Sequence, residues 1–275
     1  MSDALPEADL AYQQALVYAE ELGELYKLNR DRAADVLATR AAEKRIRHAL
    51  EGGVLSMVFQ PIMDLSTERV SGFEALARFQ TTPTRPSNVW FEEARSVGLQ
   101  HELELLAALL ALGHLDQIPR MNPLSVNLSP TTIMTPMFHE VFAQHQVDRV
   151  VLEVTEHAPV EDYDRLQQAL SWFRERGGRL AVDDAGAGFA SLRHILALKP
   201  DVIKLDITLT RDIDKDHALR ALARALISFA GDIGALIIAE GIETVEEIEA
   251  LLDLGVRYGQ GYRLGRPVPF DQLTL

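Results

Sequence analysis

Polar residues follow several short apolar runs of this chain, at the points where predicted β-strands end. These residues are Glu74, Asn127, Glu153, Asp183, Asp184 and Glu240. A carboxylate at the end of one strand often caps the next helix, so each acid taken alone has an ordinary structural explanation. Several unpaired carboxylates that converge on one place are costly unless cations neutralise them. The pattern as a whole therefore predicts a metal site.

The donor types in this set indicate which metal it would hold. The chain has no cysteine, which excludes disulfides, thiolate metal sites and a cysteine nucleophile. Carboxylate and amide oxygens favour Mg²⁺ or Mn²⁺ over Zn²⁺. The adjacent pair Asp183-Asp184 suggests two ions that share a carboxylate, an arrangement suited to in-line attack on a phosphodiester.

Lys204 and Asp206 lie two residues apart in a predicted strand, so we expect their side chains to face the same side of the sheet. Two interpretations are open for this pair. It forms a structural salt bridge, or Lys204 orients an attacking hydroxide and balances charge on phosphorus while Asp206 fixes its position. Gly241 and Gly261 each follow a polar residue at a predicted strand end, where glycine allows close approach of the backbone.

The net charge of the chain indicates which kinds of molecule it is not expected to bind nonspecifically. The chain has 41 acidic and 27 basic residues and a net charge of -14, which argues against nonspecific binding to DNA or to an anionic membrane. Metal ions held by carboxylates reverse the local sign of charge. They would let an acidic protein attract a phosphate ester.

Apolar runs alternate with helix-length segments over most of the chain, which predicts a parallel sheet. The predicted strands are Ser56–Ile62, Val70–Phe79, Leu124–Leu128, Val150–Thr155, Leu180–Asp183, Val202–Leu205, Ala235–Ala239 and Arg257–Tyr262. The predicted helices include one long segment, Phe91–Leu115. Eight strands match a TIM-like (β/α)₈ barrel of the α/β class. The short turn Leu65–Glu68 makes the first strand antiparallel to the second.

An N-terminal helical segment precedes the barrel. Small or apolar residues recur there at heptad spacing, interrupted by Asn29, Arg32, Thr39 and Glu43. The recurring residues are Ala15, Tyr18, Leu22, Leu25, Val36, Ile46 and Leu50. A dimerising or signal-transmitting helix and an amphipathic helix folded back on the main domain both fit this pattern. Glu51-Gly52-Gly53 places the domain boundary between 1–50 and 51–275.

The start of the chain has neither a basic region nor an apolar run, so no signal peptide is expected. The most apolar stretches are too short or too interrupted to span a bilayer. A cytoplasmic protein without a membrane span is therefore expected.

The order of these residues resembles the EAL family of cyclic di-GMP phosphodiesterases over roughly residues 45–275. The motifs that carry the resemblance are Gln60-Pro61-Ile62, Glu74-Ala75-Leu76 with Arg78, Asn127-Leu128-Ser129, Glu153-Val154-Thr155-Glu156, Asp183-Asp184-Ala185-Gly186-Ala187-Gly188-Phe189, Lys204-Leu205-Asp206, Ala239-Glu240-Gly241-Ile242-Glu243, and Gln260-Gly261-Tyr262 before Gly265-Arg266-Pro267. The resemblance implies hydrolysis of cyclic di-GMP to the linear dinucleotide pGpG, with two Mg²⁺ or Mn²⁺ ions and water as the nucleophile.

The resemblance also implies a role for each matching residue. Glu74, Asn127, Glu153 and Asp183 are implied ligands of one metal, with Asp183 shared and Asp184 on the second. Glu240 resembles the proposed general base, and Lys204 and Gln260 resemble groups that hold the water and phosphate. Gln60, Leu76 and Arg78, together with Asp206, are the expected substrate-binding residues. Glu156 resembles the acid that braces the loop after Asp184.

This loop departs from the family pattern Asp-Asp-Phe-Gly-Thr-Gly-Tyr-Ser, because Ala185, Ala187, Phe189 and Ala190 remove one ring and three hydroxyls. The main prediction is an active phosphodiesterase that forms a homodimer and acts below an upstream sensor protein. The alternative is a catalytically weak or inactive cyclic di-GMP receptor that signals through its N-terminal helix. A scaffold on a catalytically dead barrel is the third interpretation.

Overall fold

A computed structural model describes residues 4–155, 160, 162–185 and 191–273 of the chain. Within these residues, strands β1 to β8 form a closed barrel in which consecutive strands are neighbours. The strands are β1 Leu55–Asp64, β2 Arg69–Phe79, β3 Leu124–Asn127, β4 Val150–Thr155, β5 Arg179–Ala185, β6 Val202–Leu205, β7 Leu236–Ala239 and β8 Tyr258–Gly259. The predicted TIM-like barrel is confirmed, with a last strand shorter than expected.

The barrel begins with an antiparallel hairpin, as predicted. β1 runs antiparallel to both β2 and β8, and the other strand pairs are parallel. Asp64 fixes the turn, because its Oδ1 accepts hydrogen bonds from N and Oγ of Ser66 at 3.0 and 2.6 Å. Its Oδ2 accepts one from Nε of Arg257 at 2.8 Å. The register places Gln60 opposite Glu74.

The two strands of this hairpin are longer than the barrel requires. β3 pairs only with residues 73–75 of β2, and β8 pairs only with residues 63–64 of β1. Residues 55–58 and 76–79 pair with each other beyond those positions. We call these two segments the β1–β2 ribbon.

Helices follow most of the strands. Their bounds are α1 Ala4–Leu50, α2 Ser87–Ser96, α3 Gln100–Leu112, α4 Pro130–Ile133, α5 Pro136–Phe142, α6 Tyr163–Glu175, α7 Ser191–Leu198, α8 Ile207–Thr210, α9 His217–Ile233 and α10 Val245–Asp253. The prediction of one helix over Phe91–Leu115 was wrong. Gly98 adopts a φ of +73° and separates α2 from α3, and left-handed residues end helices.

The main hydrophobic core lies between the barrel wall and the surrounding helices, where Phe59, Phe73, Phe138, Phe142 and Phe173 are fully buried. A smaller cluster fills the barrel interior below the site. It contains Ile62, Val151, Ala181, Val202 and Ile238. Apolar layers of this kind support the polar residues that lie above them at the strand ends.

The end of α1 belongs to a third apolar cluster, outside the barrel. Ile46 and Ala49 are fully buried there, with Trp90 of α2 and Phe79 of the β1–β2 ribbon. Glu93 of α2 reinforces this contact, because Arg45 and Arg85 both donate to its carboxylate. The last turns of α1 are therefore packed against the barrel domain.

The earlier turns of α1 are exposed to solvent wherever their side chains are described. Tyr18, Leu22, Leu25, Val36 and Leu37 are each more than half exposed. Among the described side chains of this helix, packing against the main domain is found in the last turns, which fits the second interpretation for that part. None of the helices in the described part of the chain is long and apolar enough to cross a membrane.

Candidate functional site

A bulge in β5 shapes one side of the site. In a regular strand, Asp183 and Asp184 would point to opposite faces of the sheet. The register with β6 shifts between Val182 and Ala185, and Asp184 has a φ of +58°. Asp tolerates this left-handed conformation better than most residues. One carboxylate oxygen from each of Asp183, Asp184 and Glu240 consequently lies within 4.8 Å of the others.

Lys204 of β6 lies at the centre of the site and is fully buried. Its Nζ atom is 2.8 Å from Oε2 of Glu153 and 2.8 Å from Oε1 of Glu240. Oε2 of Glu74 and Oδ1 of Asp183 are each 3.2 Å away. Four strand-end carboxylates from four strands thus converge on one ammonium group, as the strand-end pattern predicted.

Glu74 connects this centre to three amide side chains. Nδ2 of Asn127 donates to its Oε1 at 3.1 Å, and Nε2 of Gln260 donates to its Oε2 at 2.5 Å. The same Gln260 nitrogen lies 3.1 Å from Oε1 of Gln60, whose own Nε2 donates to the carbonyl of Gly265 at 2.9 Å. The amides hold Glu74 in one orientation.

Burial and the closeness of several carboxylates shift the pKa values of the groups in this cluster. Burial raises the pKa of Glu240 to about 8, since Lys204 offsets only part of the effect while Asp183 and Glu74 add to it. Burial, and next the charge of Glu74, raise the pKa of Glu153 well above its usual range. Burial acts to lower the pKa of Lys204, but the four carboxylates together raise it well above normal. The site therefore has more negative charge than one lysine neutralises.

Two carboxylate oxygens in the cluster also lack a hydrogen-bond donor. Oε1 of Glu153 and Oδ1 of Asp183 are buried and accept no hydrogen bond within the described residues, although the latter is in ion-pair contact with Lys204. When all are ionised, the four carboxylates in contact with Lys204 exceed its charge by three, and Asp184 lies beside two of them. Divalent cations would supply positive charge here, and oxygen donors suit Mg²⁺ and Mn²⁺. The residues present fit the predicted ions.

A cavity of about 340 Å³ opens beside this cluster. Its lining is Gln60, Asp184, Asp206, Ile207, Glu240, Gly241, Glu243, Gln260, Gly261 and Tyr262. The two glycines are required sterically, because a Cβ on Gly241 would overlap the Ile207 side chain and one on Gly261 would overlap the Ile242 backbone. The close approach predicted at both glycines is confirmed.

Asp206 differs from its predicted placement. β6 ends at Leu205, and Asp206 is the N-cap of α8, with its carboxylate accepting a hydrogen bond from N of Thr208 at 2.9 Å. The shared strand with Lys204 was therefore a wrong prediction. The side chain of Asp206 nevertheless lines the cavity.

Leu76 and Arg78 lie on the β1–β2 ribbon, on the same face of β2 as Glu74. They do not line the cavity beside the cluster. Arg78 is exposed, and its guanidinium donates to the carbonyl of Ala77 at 2.9 Å. Glu156 and loop residues 186–190 lie outside the described residues.

Tyr262 was quoted in a motif but given no role by the sequence. Its ring is 55% exposed at the cavity, and the guanidinium of Arg266 lies 4.4 Å from the ring centroid. An exposed aromatic residue next to a predicted site is the signal that could have identified it. Glu243 was likewise quoted in a motif without a role, because its position at the cavity depends on the turn after β7.

The fold and the site together define a TIM-like barrel with an acidic cluster at the carboxyl ends of its strands. The EAL domain family model matches residues 43–267. The chain therefore belongs to the EAL domain family.

Similar proteins include an uncharacterised signalling protein from Caulobacter vibrioides, 31% identical over 272 residues, which is 95% of this chain and 34% of that protein. A cyclic di-GMP phosphodiesterase from Pseudomonas aeruginosa is 30% identical over 232 residues, 79% of this chain and 39% of that protein. The chain spans about a third of the length of the curated relatives it matches.

Among solved structures, Klebsiella pneumoniae BlrP1 in a calcium and cyclic di-GMP complex has a TM-score of 0.70 and 31% identity. The match covers 79% of this chain and 56% of that one. Another complex of BlrP1 contains manganese and cyclic di-GMP.

Proposed function

We propose that this chain hydrolyses cyclic di-GMP to linear pGpG, using two Mg²⁺ or Mn²⁺ ions. The observation that carries the proposal is the cluster of four carboxylates around one buried lysine, with Asp184 beside two of them, at the mouth of an EAL-family barrel. The relative from P. aeruginosa that is named as a cyclic di-GMP phosphodiesterase supports the reaction. The BlrP1 complexes with calcium or manganese support the substrate and a divalent metal.

We assign the metal ligands to the same cluster. Glu74, Asn127, Glu153 and Asp183 would hold one ion, and Asp183 with Asp184 would hold the second. When bound, such ions lower the pKa of a coordinated water and stabilise negative charge on the phosphate. The bulge in β5 supports this assignment, because it allows adjacent aspartates to contribute to one site.

The remaining groups of the cluster have roles that their positions favour. Glu240 is assigned as the general base, since it lies at the cavity and its carboxylate is close to the other acids. A base acts well when its pKa is near the working pH. Lys204 holds four carboxylates in place and balances their charge. Gln260 lines the cavity and is assigned to orient the water and phosphate.

Substrate contacts are assigned to the cavity and to the β1–β2 ribbon beside it. Gln60 and Asp206 line the cavity, and Leu76 and Arg78 lie on the ribbon face that Glu74 shares. Arg78 is exposed, and its planar guanidinium offers a phosphate two parallel donors. The cavity volume of about 340 Å³ is in the range of small-ligand sites.

The direct test is incubation of the purified chain with cyclic di-GMP and Mg²⁺ or Mn²⁺, with pGpG measured by chromatography. Product that disappears in EDTA is the expected result. Absence of product with each metal, together with cyclic di-GMP binding in calorimetry, would refute hydrolysis and favour the receptor alternative.

We also propose that α1 joins two copies of the chain and passes a signal from an upstream sensor. The described apolar residues from Tyr18 to Leu37 are exposed at heptad-like spacing, whereas Ala42, Ile46 and Ala49 are buried. Removal of residues 1–41 should therefore convert a dimer to a folded monomer in sedimentation, because the buried turns remain. A dimer of unchanged affinity after the truncation would contradict the role of α1.

A further inference from the structure

Glu104 is a buried acid that the proposed chemistry does not use. It lies in α3 and is 8% exposed. Oε1 accepts a hydrogen bond from Nε2 of Gln100 at 2.7 Å. Oε2 accepts two from Ser129, one from its backbone N at 2.9 Å and one from its Oγ at 2.8 Å. Glu104 thus joins α3 to the turn that follows β3.

Ser129 completes this connection on the side of the turn. Its hydroxyl hydrogen goes to Glu104, and its oxygen accepts from Nε2 of Gln100 at 2.9 Å and from N of Thr132 at 3.3 Å. The hydroxyl oxygens of Thr131 and Thr132 also lie 3.0 Å from this oxygen, so the Ser129 side chain has polar partners on several sides. Ser129 is also the N-cap of α4. Its position is consequently fixed from both sides.

Asn127, an assigned metal ligand, lies two residues before Ser129. Its Nδ2 donates to Glu74, which leaves the side-chain oxygen for another partner. The backbone N of Leu128 donates to the carbonyl of Glu153 at 3.0 Å. The turn that carries Asn127 is therefore attached to β4 at Leu128 and to α3 at Ser129.

The choice of an acid at residue 104 is not explained by stability. Within the described residues, no lysine, arginine or histidine forms an ion pair with Glu104, and neutral donors alone hold its carboxylate. A buried carboxylate of this kind costs free energy that an apolar side chain would avoid. Its donors belong mainly to the turn beside the metal ligands, which points to a role in that site.

We propose that Glu104 is a positioning residue that holds the 127–129 turn so that Asn127 presents its oxygen to a divalent ion. The inference rests on the assignment of Asn127 as a metal ligand in the proposed function. Groups that hydrogen-bond to metal-bearing segments tune metal affinity, and their loss typically weakens binding about 10- to 100-fold.

The test is Glu104→Gln in the full chain, with Glu102→Gln as the matched control. The amide keeps the size of the side chain but replaces one acceptor oxygen with a donor, which cannot satisfy both Gln100 and Ser129. Glu102 lies on the same helix, two residues away, and its substitution makes the same change in net charge. Mn²⁺ binding is measured by calorimetry without substrate, alongside thermal unfolding in EDTA.

We expect Glu104→Gln to bind Mn²⁺ about tenfold more weakly than wild type and to need proportionally more Mn²⁺ for half-maximal activity. Glu102→Gln should bind like wild type. A lower melting temperature with unchanged Mn²⁺ affinity would show a purely structural role and overturn the inference.

Ser129→Ala serves as a second variant if Glu104→Gln does not fold, because it removes the hydroxyl donor and keeps the backbone donor. A smaller loss of Mn²⁺ affinity is expected, and wild-type affinity would count against the proposal. A wild-type chain that neither binds Mn²⁺ nor releases pGpG would instead refute the proposed function.

Discussion

Glu240 should make the metal-free stability of this protein fall as the pH rises. Burial, which Lys204 offsets only in part, raises its pKa from 4.5 to about 8. Between these two values the unfolded chain has released the proton that the native protein still holds. Deprotonation therefore favours the unfolded state, and the free energy of unfolding in EDTA decreases from about pH 5 to about pH 8.

The size of the effect follows from the same shift. One pH unit corresponds to about 1.4 kcal/mol, so a rise from 4.5 to about 8 corresponds to at most about 5 kcal/mol. Glu153 lies in the same cluster, and burial raises its pKa as well, so the two groups share this dependence. A fall of about 3 to 5 kcal/mol over this range is expected for the wild-type protein.

Glu240→Gln isolates the contribution of one carboxyl group, because the amide has a similar shape and does not titrate. Urea unfolding followed by circular dichroism in EDTA at several pH values is the assay. The variant should show a smaller pH dependence, with the part due to Glu153 remaining, whereas Glu249→Gln, at an exposed position of α10, should keep the wild-type dependence. Parallel wild-type and Glu240→Gln profiles would refute the reasoning. Added Mn²⁺ should remove the wild-type slope, since divalent ions favour the ionised acids.

Three further substitutions test the fold at the base of α1, beside the site and on α9. Glu93→Gln should lower the free energy of unfolding at pH 7 by about 1 to 3 kcal/mol, because Arg85, followed by Arg45, lowers the pKa of Glu93 from 4.5 to about 2. That stabilisation is present above pH 4.5 and is lost as the pH falls toward 2, so urea unfolding of the variant and wild type should converge near pH 2 to 3. Gly261→Ala should lower the free energy of unfolding by more than about 2 kcal/mol, since the added Cβ would overlap the backbone of Ile242. Gly231→Ala, in an open part of α9, should raise the free energy of unfolding by up to about 1 kcal/mol in the same urea assay.

The strand-end acids could be predicted from sequence because each follows a short apolar run that forms its strand locally. Their convergence then follows from closure of the barrel. The contacts of Lys204 with Glu74 and Glu153 join residues that are 130 and 51 positions apart. Strand order predicted that these residues would meet, but the central position of the lysine depends on the register of every strand between them.

Other features could not be predicted because two local rules compete. Asp206 has the spacing of a strand residue and the chemistry of an N-cap, and the cap prevails. Gly98 is tolerated inside a helical pattern, so the sequence does not distinguish a continuous helix from two. Glu104 interrupts an apolar helix face, and an acid at such a position indicates a buried polar contact. The sequence could not identify its partner, because Ser129 lies on a different element.

The β1–β2 ribbon has a mechanical consequence. Arg78 and Phe79, the last two residues of β2 in this ribbon, point to opposite faces. Phe79 packs in the cluster that contains Ile46 of α1, while Arg78 lies on the face of Glu74. Paired strands resist bending within their plane far more than an isolated loop does. A displacement of the last turns of α1 would therefore reach Phe79 directly, and Arg78 lies one peptide bond away on the face of Glu74.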